Sequence, residues 1–158
     1  MNTDFALVIN GINEAIEEWT PRLKKIEDSI LSEKRNKQNR TIKQILGHLI
    51  DSAANNHQRM VRLQYNKVLE FPDYRQDNDL WISIQNYQDA SWSDMILFWK
   101  YYNLHIAQII DSVDKSALDN YWVDFEGTKV TLNKMIEGYL SHLYLHLTEI
   151  RELIDARE

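Results

Sequence analysis

The sequence predicts a single all-α domain, and three observations lead to this fold class. The 158 residues include only four glycines and two prolines, whereas all-β folds use more of both in their turns. Apolar residues recur at intervals of three and four in four separate segments, which is the spacing of one helix face. The length fits one domain, residues 1–158, that is large enough to bury a hydrophobic core. We therefore expect four amphipathic helices that pack as a four-helix bundle.

The composition excludes several functional classes. The chain contains no cysteine, which rules out disulfides, thiolate zinc sites, iron–sulfur clusters and a cysteine nucleophile. Any metal must therefore be bound by histidine, aspartate or glutamate. The net charge of −6 argues against nucleic-acid binding. Residues 1–4 lack the basic stretch of a secretory signal, and the longest apolar runs are about five residues, so we expect a cytoplasmic protein without a membrane span.

The first helix is predicted over residues 3–19, from apolar side chains that step by three and four. This apolar face contains Phe5, Val8, Ile9, Ile12, Ile16 and Trp19. Proline fits the first turn of a helix but not its interior, so Thr20-Pro21 predicts an interruption, beyond which the helix restarts or bends. Residues 32–40 contain no apolar side chain and predict a connection to the next helix.

The second helix is predicted over residues 42–65. Thr41 is followed three positions later by Gln44, and this capping-box pattern is typical of a helix N-terminus. The apolar spacing continues through the following residues and supports the same helix. Residues 66–80 contain Pro72 together with several aspartates and asparagines, and they predict a long crossover loop.

Two further helices are predicted in the second half of the chain. Ser91, with Asp94 three positions later, predicts the start of the third helix, which extends to about residue 113. Glu126-Gly127 predicts a turn within residues 114–130. Thr131 predicts the N-cap of the fourth helix, whose apolar spacing continues almost to the end of the sequence.

A histidine pair on the fourth helix is the first candidate for a metal site. His142 and His146 are four residues apart, so their rings are offset by roughly 40° and one turn and can converge on one ion. The alternative is a pair of polar residues that flank the apolar stripe. Gly138 lies one turn before His142, and Gly47 directly precedes His48. Because glycine costs about 1 kcal/mol in a helix interior, both positions indicate close approach or open space, or else tight helix packing.

The other three histidines differ in their position on the predicted helices. His48 lies beside the apolar stripe of the second helix and can supply a third nitrogen if the second and fourth helices are neighbours. The alternative is a hydrogen-bonded histidine of the core. His57 is nine residues further on, about half a turn around the helix, which predicts an exposed position or an interface. His105 lies at the edge of the third helix's apolar stripe and is a peripheral candidate ligand.

Two segments resemble the DinB/YfiT-like superfamily of metal-dependent enzymes. Residues 41–59, TIKQILGHLIDSAANNHQR, resemble the second-helix motif of that family. Residues 131–146, TLNKMIEGYLSHLYLH, resemble its H-x-x-x-H helix, and the separation between His48 and this pair also matches. The resemblance spans nearly the whole chain and is weaker in the middle. Arg40 departs from it, because the family often has tryptophan at that position, and we expect only the loop packing to change.

The resemblance implies both a topology and a metal centre. It implies an up-down-down-up four-helix bundle with a long crossover. It implies a divalent ion, zinc or nickel, that is held by His48, His142 and His146. It also implies a homodimer that acts on a small-molecule substrate. Because members of this superfamily include S-transferases that use low-molecular-weight thiols, such a thiol is a further expected cofactor. Three imidazoles leave the ion its full charge and an open position, a geometry that activates water or a thiol.

Two carboxylates are the candidate catalytic residues. Asp51 lies one turn from His48, and Glu149 lies seven residues after His142. Either carboxylate could orient a ligand imidazole or move a proton. The alternative for both is a polar contact that faces solvent or crosses the bundle.

Three residues are candidates for binding a cofactor. Asn55 and Arg59 follow His48 by seven and eleven residues, which places both within roughly 20° of its direction. Tyr139 precedes His142 by three residues on the fourth helix. Arg59 could bind a carboxylate of an acidic thiol, although a salt bridge within the protein is the alternative.

Three functions are therefore considered for the chain. The first is a metal-dependent S-transferase that uses a low-molecular-weight thiol. The second is a metal-dependent hydrolase at the same three histidines. The third is a helical binding module without catalysis, whose histidines hold no metal.

Overall fold

The computed structural model describes residues 5–70, 77–124 and 126–156 of the chain. Four long helices and two short ones account for most of these residues. The long helices are α1 (Ala6–Leu23), α3 (Ile42–Leu63), α5 (Trp92–Asp111) and α6 (Leu132–Asp155). The short helices are α2 (Asp28–Glu33) and α4 (Asn78–Ile84). None of the described helices combines the length and the apolarity that a membrane span requires.

The four long helices form a bundle around one hydrophobic core. Both α5 and α6 pack against α1 and α3, so the order around the bundle is α1, α5, α3, α6. The largest side chains of the core, Trp19 and Trp99, are completely buried. The predicted four-helix bundle is confirmed, because each apolar stripe is covered by two neighbouring helices. The up-down-down-up order of the helices stays a prediction.

The predicted interruption of the first helix at Pro21 is wrong. Helix α1 continues through Pro21 and ends at Leu23, although the proline has no N–H to donate to the carbonyl of Glu17, one turn earlier in the helix. The hydroxyl of Thr20 donates to the carbonyl of Ile16 at 2.6 Å. Both Trp19 and Leu23 are completely buried, and this burial holds the last turn in helical conformation.

The connection predicted over residues 32–40 is shorter in the structure. Helix α2 extends to Glu33 because Leu31 is buried against the bundle, so the connection begins at Lys34. The capping box at the start of α3 is confirmed. The N–H of Gln44 donates to the Thr41 hydroxyl at 3.3 Å, and the N–H of Thr41 donates to Oε1 of Gln44 at 2.9 Å. Helix α3 ends two residues before the predicted position.

The predicted loop over residues 66–80 is partly wrong. Strand β1 (Val68–Glu70) and the start of α4 fall within it, and residues 71–76, including Pro72, lie outside the described residues. Arg40 anchors this part of the chain to the start of α3. Its Nε and Nη2 donate to Oδ1 of Asp79 at 3.0 and 2.8 Å. These hydrogen bonds join α4 to the start of α3, whereas the expected effect of Arg40 on the loop packing stays a prediction.

A small sheet closes one end of the bundle, and the sequence did not predict it. Its strands are β1, β2 (Tyr121–Val123) and β3 (Lys129–Thr131), in the order β1-β2-β3. Strands β1 and β2 are parallel, with Leu69 opposite Trp122, whereas β2 and β3 are antiparallel. Strands of three residues are too short to produce a recognisable alternation of polar and apolar side chains.

The turn and the two remaining helix starts agree with the prediction. Gly127 has a φ of +81°, a left-handed conformation that glycine adopts readily, and its N–H donates to the carbonyl of Asp124 at 3.0 Å. The Ser91 hydroxyl accepts from the N–H of Asp94 at 3.4 Å. The hydroxyl of Thr131 accepts from the N–H of Lys134, the third residue of α6, at 3.2 Å.

Candidate metal centre

Three histidines from two helices converge beside the bundle core. One ring nitrogen of each of His48, His142 and His146 lies within 4.8 Å of the other two. The Nε2 atoms of His142 and His146 are 3.2 Å apart. The ring centroid of His48 lies 4.6 Å from that of His146 and 5.6 Å from that of His142. The structure therefore brings together the three residues that the sequence predicts as metal ligands.

The packing of α3 against α6 explains this convergence. The sequence predicts His48 as a third ligand only if the second and fourth predicted helices are neighbours. These helices are α3 and α6, and they are in contact. His142 and His146 lie one turn apart on α6, so both rings point toward α3. His48 meets them from the opposite side.

Burial keeps two of the three imidazoles, those of His48 and His142, in the neutral form that binds metals. His48 and His146 are 6% exposed, and His142 is half-buried. Burial, together with the nearby charges of His146, His142 and Arg40, lowers the pKa of His48 to about 3. Burial and His146 lower the pKa of His142 to about 4, against the opposing charge of Glu149. Both rings are therefore neutral near pH 7 and keep a lone pair for a cation.

Glu149 contacts one of the three histidines directly. Nδ1 of His146 donates to Oε2 of Glu149 at 2.9 Å, and the same oxygen accepts from Nδ2 of Asn36 at 3.3 Å. A proton held on Nδ1 leaves the lone pair of Nε2 directed at the other histidines. Glu149 is thus positioned to orient the ring of His146, whereas its catalytic role stays a prediction.

The remaining ring nitrogens have different surroundings. Nδ1 of His142 lies 3.4 Å from the hydroxyl of Ser52, one turn after His48 on α3. Nδ1 of His48 is buried and has no hydrogen-bond partner among the described residues. A buried polar atom without a partner is uncommon. The three converging imidazole nitrogens are themselves a donor set that zinc and other first-row divalent ions accept. The residues present therefore fit a bound divalent ion.

The side chain of Asp51 hydrogen-bonds to residues that follow α4, and not to the three imidazoles. Its Oδ1 accepts from the hydroxyl of Tyr87 at 2.7 Å and from Nε2 of Gln85 at 2.8 Å. Burial raises the pKa of Asp51, and these two hydrogen bonds offset part of that rise. Within the described residues, no hydrogen bond joins Asp51 to a histidine of the centre. Its catalytic role therefore stays a prediction. Its observed contacts join α3 to Gln85 and Tyr87, which follow α4.

The two glycines beside the histidines serve opposite purposes. A Cβ at Gly47 would overlap the ring of Tyr87, so this glycine permits the close approach of Tyr87 to α3. A Cβ at Gly138 would meet no atom within 4 Å, because this glycine borders a cavity. The sequence left close approach and open space as alternatives, and each of them applies at one position.

A cavity of about 400 Å³ opens next to the histidines, between α3 and α6. This size lies within the range of about 300–1,000 Å³ that small-molecule sites occupy. The three predicted cofactor-binding residues, Asn55, Arg59 and Tyr139, all line this cavity together with His48 and His142. Their role in binding a cofactor stays a prediction.

Two of these lining residues are held by neighbouring elements. The guanidinium carbon of Arg59 lies 3.8 Å from the ring centroid of Trp122 on β2. The hydroxyl of Tyr139 donates to Oδ1 of Asn103 at 2.8 Å, and Asn103 donates in turn to the carbonyl of Trp99 at 2.8 Å. Burial raises the pKa of Tyr139 above its usual value, so its hydroxyl stays protonated and directed at α5.

The other two histidines lie outside the centre. His57 is half-buried against α5 rather than exposed, and its Nδ1 is 3.1 Å from the hydroxyl of Tyr102. Its ring centroid lies 5.0 Å from that of His105, which is exposed. The predicted half-turn offset from His48 explains why His57 faces another helix.

Sequence reasoning missed several residues of the cavity wall. Lys134 precedes His142 by eight residues, so helical spacing could have found it. Trp122 had no such signal, because it belongs to a strand of three residues.

Comparisons with known proteins identify the fold. The sequence matches no family model, and no curated protein matches it either. Among solved structures, the chain is similar to YfiT from Bacillus subtilis, which is described as a probable metal-dependent hydrolase with an unusual four-helix bundle topology. The TM-score is 0.85 over 97% of this chain and 87% of YfiT. The chain has the YfiT fold. At 16% sequence identity the similarity concerns the fold alone, and it confirms the fold expected from the resemblance.

Proposed function

We propose that the chain is a metal-dependent hydrolase whose divalent ion is held by His48, His142 and His146. The observation that carries this proposal is the convergence of three imidazoles beside a cavity of about 400 Å³. In the part of the chain that the structure describes, no fourth histidine or carboxylate completes the group. Three protein ligands with an open position are typical of catalytic rather than structural zinc. The description of YfiT as a probable metal-dependent hydrolase supports the same reaction class.

The bound ion would supply a positive charge that polarises a carbonyl group and lowers the pKa of water. The protein's own residues prepare this site. Glu149 holds the proton on Nδ1 of His146 and so keeps Nε2 available. Asp51, through Tyr87, fixes the crossover against α3 next to His48. We therefore assign positioning roles to both carboxylates. Glu149 positions the ring of His146, and Asp51 positions Tyr87 against α3, the helix that carries His48.

Zinc or nickel is the ion that we propose. Imidazole nitrogen suits both metals, whereas calcium and magnesium prefer oxygen ligands. The sequence resemblance to the DinB/YfiT-like superfamily implies the same two metals. The three-histidine group supports this choice because it offers nitrogen and no carboxylate oxygen.

Transfer to a low-molecular-weight thiol is the second candidate reaction, because the same ion would also bind a thiol as thiolate. The YfiT description favours hydrolysis, so the thiol reaction takes second place. A helical binding module without metal is the third reading, and the metal measurement below separates it from the two enzymes.

Elemental analysis of tag-free protein tests the metal centre. We expect close to one equivalent of zinc or nickel in the wild type and little in His142→Ala. His105→Ala is the matched control, because His105 is exposed and lies outside the three-histidine group. A wild type that stays empty after zinc and nickel have been added would remove the basis for both enzymes.

Substrate tests on the metal-loaded protein then separate the two reactions. In one set, activated esters and amides are supplied, and hydrolysis adds water to the acyl carbon, breaks its bond to oxygen or nitrogen, and leaves the proton on the departing group. In the other set, a thiol and an electrophile are supplied together. Metal-dependent turnover in the first set alone supports the hydrolase, and turnover in the second set alone supports the S-transferase.

We further propose a homodimer in the cytoplasm that does not bind nucleic acid. The dimer is expected from the family resemblance, and the net charge of −6 opposes binding to nucleic acid. Light scattering coupled to size-exclusion chromatography measures the mass directly. A mass of two chains is expected, and a mass of one chain at micromolar concentration would contradict the dimer.

A further inference from the structure

The connection between α2 and α3 contacts the half of α6 that carries His146. Nδ2 of Asn36 donates to Oε2 of Glu149 at 3.3 Å, and Nζ of Lys34 donates to the carbonyl of Ala156. The two acceptors lie three and ten residues after His146 in the sequence. The connection therefore reaches α6 directly beyond one of the proposed metal ligands.

The backbone of this connection forms a tight turn that begins at Asn36. The N–H of Asn39 donates to the carbonyl of Asn36 at 2.9 Å, and the N–H of Asn36 donates to the carbonyl of Arg40 at 3.0 Å. Asn39 has a φ of +62°, a left-handed conformation that asparagine adopts more readily than most residues. Nη1 of Arg35 donates to the carbonyl of Asn39 at 2.9 Å. These hydrogen bonds give the backbone of Asn36 a fixed position.

Hydrogen bonds within the turn also fix the orientation of the Asn36 side chain. Its Oδ1 accepts from the backbone N–H groups of Gln38 and Arg40, at 3.0 Å each. Because the amide oxygen accepts and the amide nitrogen donates, these two N–H groups determine which side of the amide faces α6. Nδ2 donates to Oε1 of Gln38 at 3.1 Å and to Oε2 of Glu149 at 3.3 Å. The turn therefore presents a donor to Glu149.

Oε2 of Glu149 lies between two donors. It accepts from Nδ1 of His146 at 2.9 Å and from Nδ2 of Asn36 at 3.3 Å. Glu149 is half-buried, and glutamate is a long side chain with several rotatable bonds, so a single hydrogen bond would leave it more than one conformation. The second donor restricts Oε2 to the position in which it accepts the proton of His146. Partners that orient a ligand imidazole in this way contribute to metal affinity.

We infer that Asn36 is a positioning residue of the metal centre, which holds Glu149 against His146 and so keeps Nε2 of that imidazole available to a divalent ion. This inference rests on the proposed metal-dependent function, because that function makes His146 a ligand. Since Asn36 acts through Glu149, its effect should be smaller than that of Glu149. The effect should also disappear when Glu149 is absent.

Zinc affinity of the full chain, measured by competition with a chromophoric chelator, tests this dependence. Asn36→Ser should lower zinc affinity by about fivefold, less than the loss of about 10–100-fold that is typical of a residue in direct contact with a ligand. Serine keeps a side-chain oxygen for the turn and lacks the amide donor. In a Glu149→Ala background the same substitution should change zinc affinity by less than about twofold, because no carboxylate remains to be held.

Gln38→Ser is the matched control in the same turn. It removes the acceptor of the other Nδ2 hydrogen bond of Asn36 and leaves the contact with Glu149 in place. Gln38 is exposed, and its backbone N–H still donates to Asn36. Zinc affinity should therefore equal that of the wild type. Equal losses in Asn36→Ser and Gln38→Ser would show that the turn as a whole is responsible, and would overturn the inference.

The tautomer of His146 gives a second measurement, which needs no metal. The chemical shifts of the imidazole nitrogens, measured by NMR, distinguish a proton on Nδ1 from a proton on Nε2. In the metal-free wild type and in Gln38→Ser the proton should lie on Nδ1, where Glu149 accepts it. In Asn36→Ser a larger share of the Nε2–H tautomer is expected, because the carboxylate is held less firmly.

The outcomes separate this inference from the proposed function. An unchanged or higher zinc affinity in Asn36→Ser, or an equal loss with and without Glu149, would overturn the inference. An unchanged tautomer of His146 in Asn36→Ser would overturn it as well. If the tautomer shifts but the wild type binds neither zinc nor nickel, the proposed function fails while the link from Asn36 to His146 stands. If the wild type is a metal-dependent hydrolase and Asn36→Ser equals it in zinc affinity, the proposed function stands and the inference fails.

Discussion

Helix α3 carries two histidines whose surroundings differ, and the difference shows what makes a histidine group a metal site. His48 meets the rings of His142 and His146 on α6, and all three offer a nitrogen within 4.8 Å of one another. His57 meets His105 on α5 at a ring-centroid distance of 5.0 Å, and its Nδ1 is engaged by Tyr102. Proximity of histidine rings is common to both groups, whereas convergence of available nitrogens is found only at the first among the described residues.

The partner helices cause this difference. Helix α6 places two histidines one turn apart, so that both face α3, whereas α5 presents one histidine and a phenol. The first group is also largely buried beside a cavity, while His105 is exposed to solvent. A buried group with an adjacent cavity can exclude bulk water and still admit a substrate.

The largest expected effect is on metal affinity. His146→Ala removes one of three nitrogen ligands and should lower zinc affinity by more than about 100-fold, since even the loss of a residue that only orients a ligand costs about 10–100-fold. His57→Ala should leave zinc affinity unchanged. Competition with a chromophoric chelator measures both variants. Equal losses of zinc affinity in the two variants would show that the two histidine groups do not differ in metal binding.

The next effect concerns the packing behind His48. Gly47→Ala should lower the free energy of unfolding by about 1–3 kcal/mol, because the new methyl group overlaps the ring of Tyr87. Gly138→Ala is the matched control and should raise that free energy by up to about 1 kcal/mol, because its Cβ meets open space within a helix. Urea unfolding followed by fluorescence measures both. A stable Gly47→Ala variant would show that Tyr87 can move away without cost.

A smaller effect is expected from the residues that hold the histidine rings. Glu149→Gln should lower zinc affinity by about tenfold, because a neutral amide holds the Nδ1 proton of His146 less firmly than a carboxylate does. Tyr102→Phe removes the corresponding partner of His57 and should leave zinc affinity unchanged. An equal response to both substitutions in the chelator assay would argue that the effect of Glu149 is unspecific.

The smallest effect is a pH dependence at the second group. Burial lowers the pKa of His57 below its usual value of 6.5, and the charge of His105 adds to this. The unfolded chain therefore binds a proton at higher pH than the folded chain, so His57 contributes stability above pH 6.5 that is lost as the pH falls through its folded pKa. His57→Gln should consequently lose less stability than the wild type between pH 7 and pH 5, as measured by urea unfolding at each pH. A steeper loss in the variant would show that the sign is reversed.

Much of the fold could be predicted because helix signals are local. The apolar spacing and the N-caps at Thr41, Ser91 and Thr131 involve residues within four positions of one another, and all three caps are present in the structure. Pro21 misled the prediction because the burial of Trp19 and Leu23 offsets the backbone hydrogen bond that the proline removes, and this burial depends on tertiary packing. The strands were missed because strand pairing joins Leu69 to Trp122, residues that are distant in sequence.

The metal site also depends partly on local sequence and partly on tertiary packing. The pair His142 and His146 follows from spacing along one helix, and no knowledge of neighbouring helices is needed to place both rings on one side. The third nitrogen comes from His48, more than ninety residues away, and it joins the pair only because α3 packs against α6. The same packing creates the cavity that Arg59 and Lys134 line, whereas Asp51 meets Tyr87 where residues 87–89 pack against α3. Local periodicity therefore specifies the helices and their polar faces, whereas the pairing of those faces depends on the burial of apolar area over the whole bundle, which no single segment encodes.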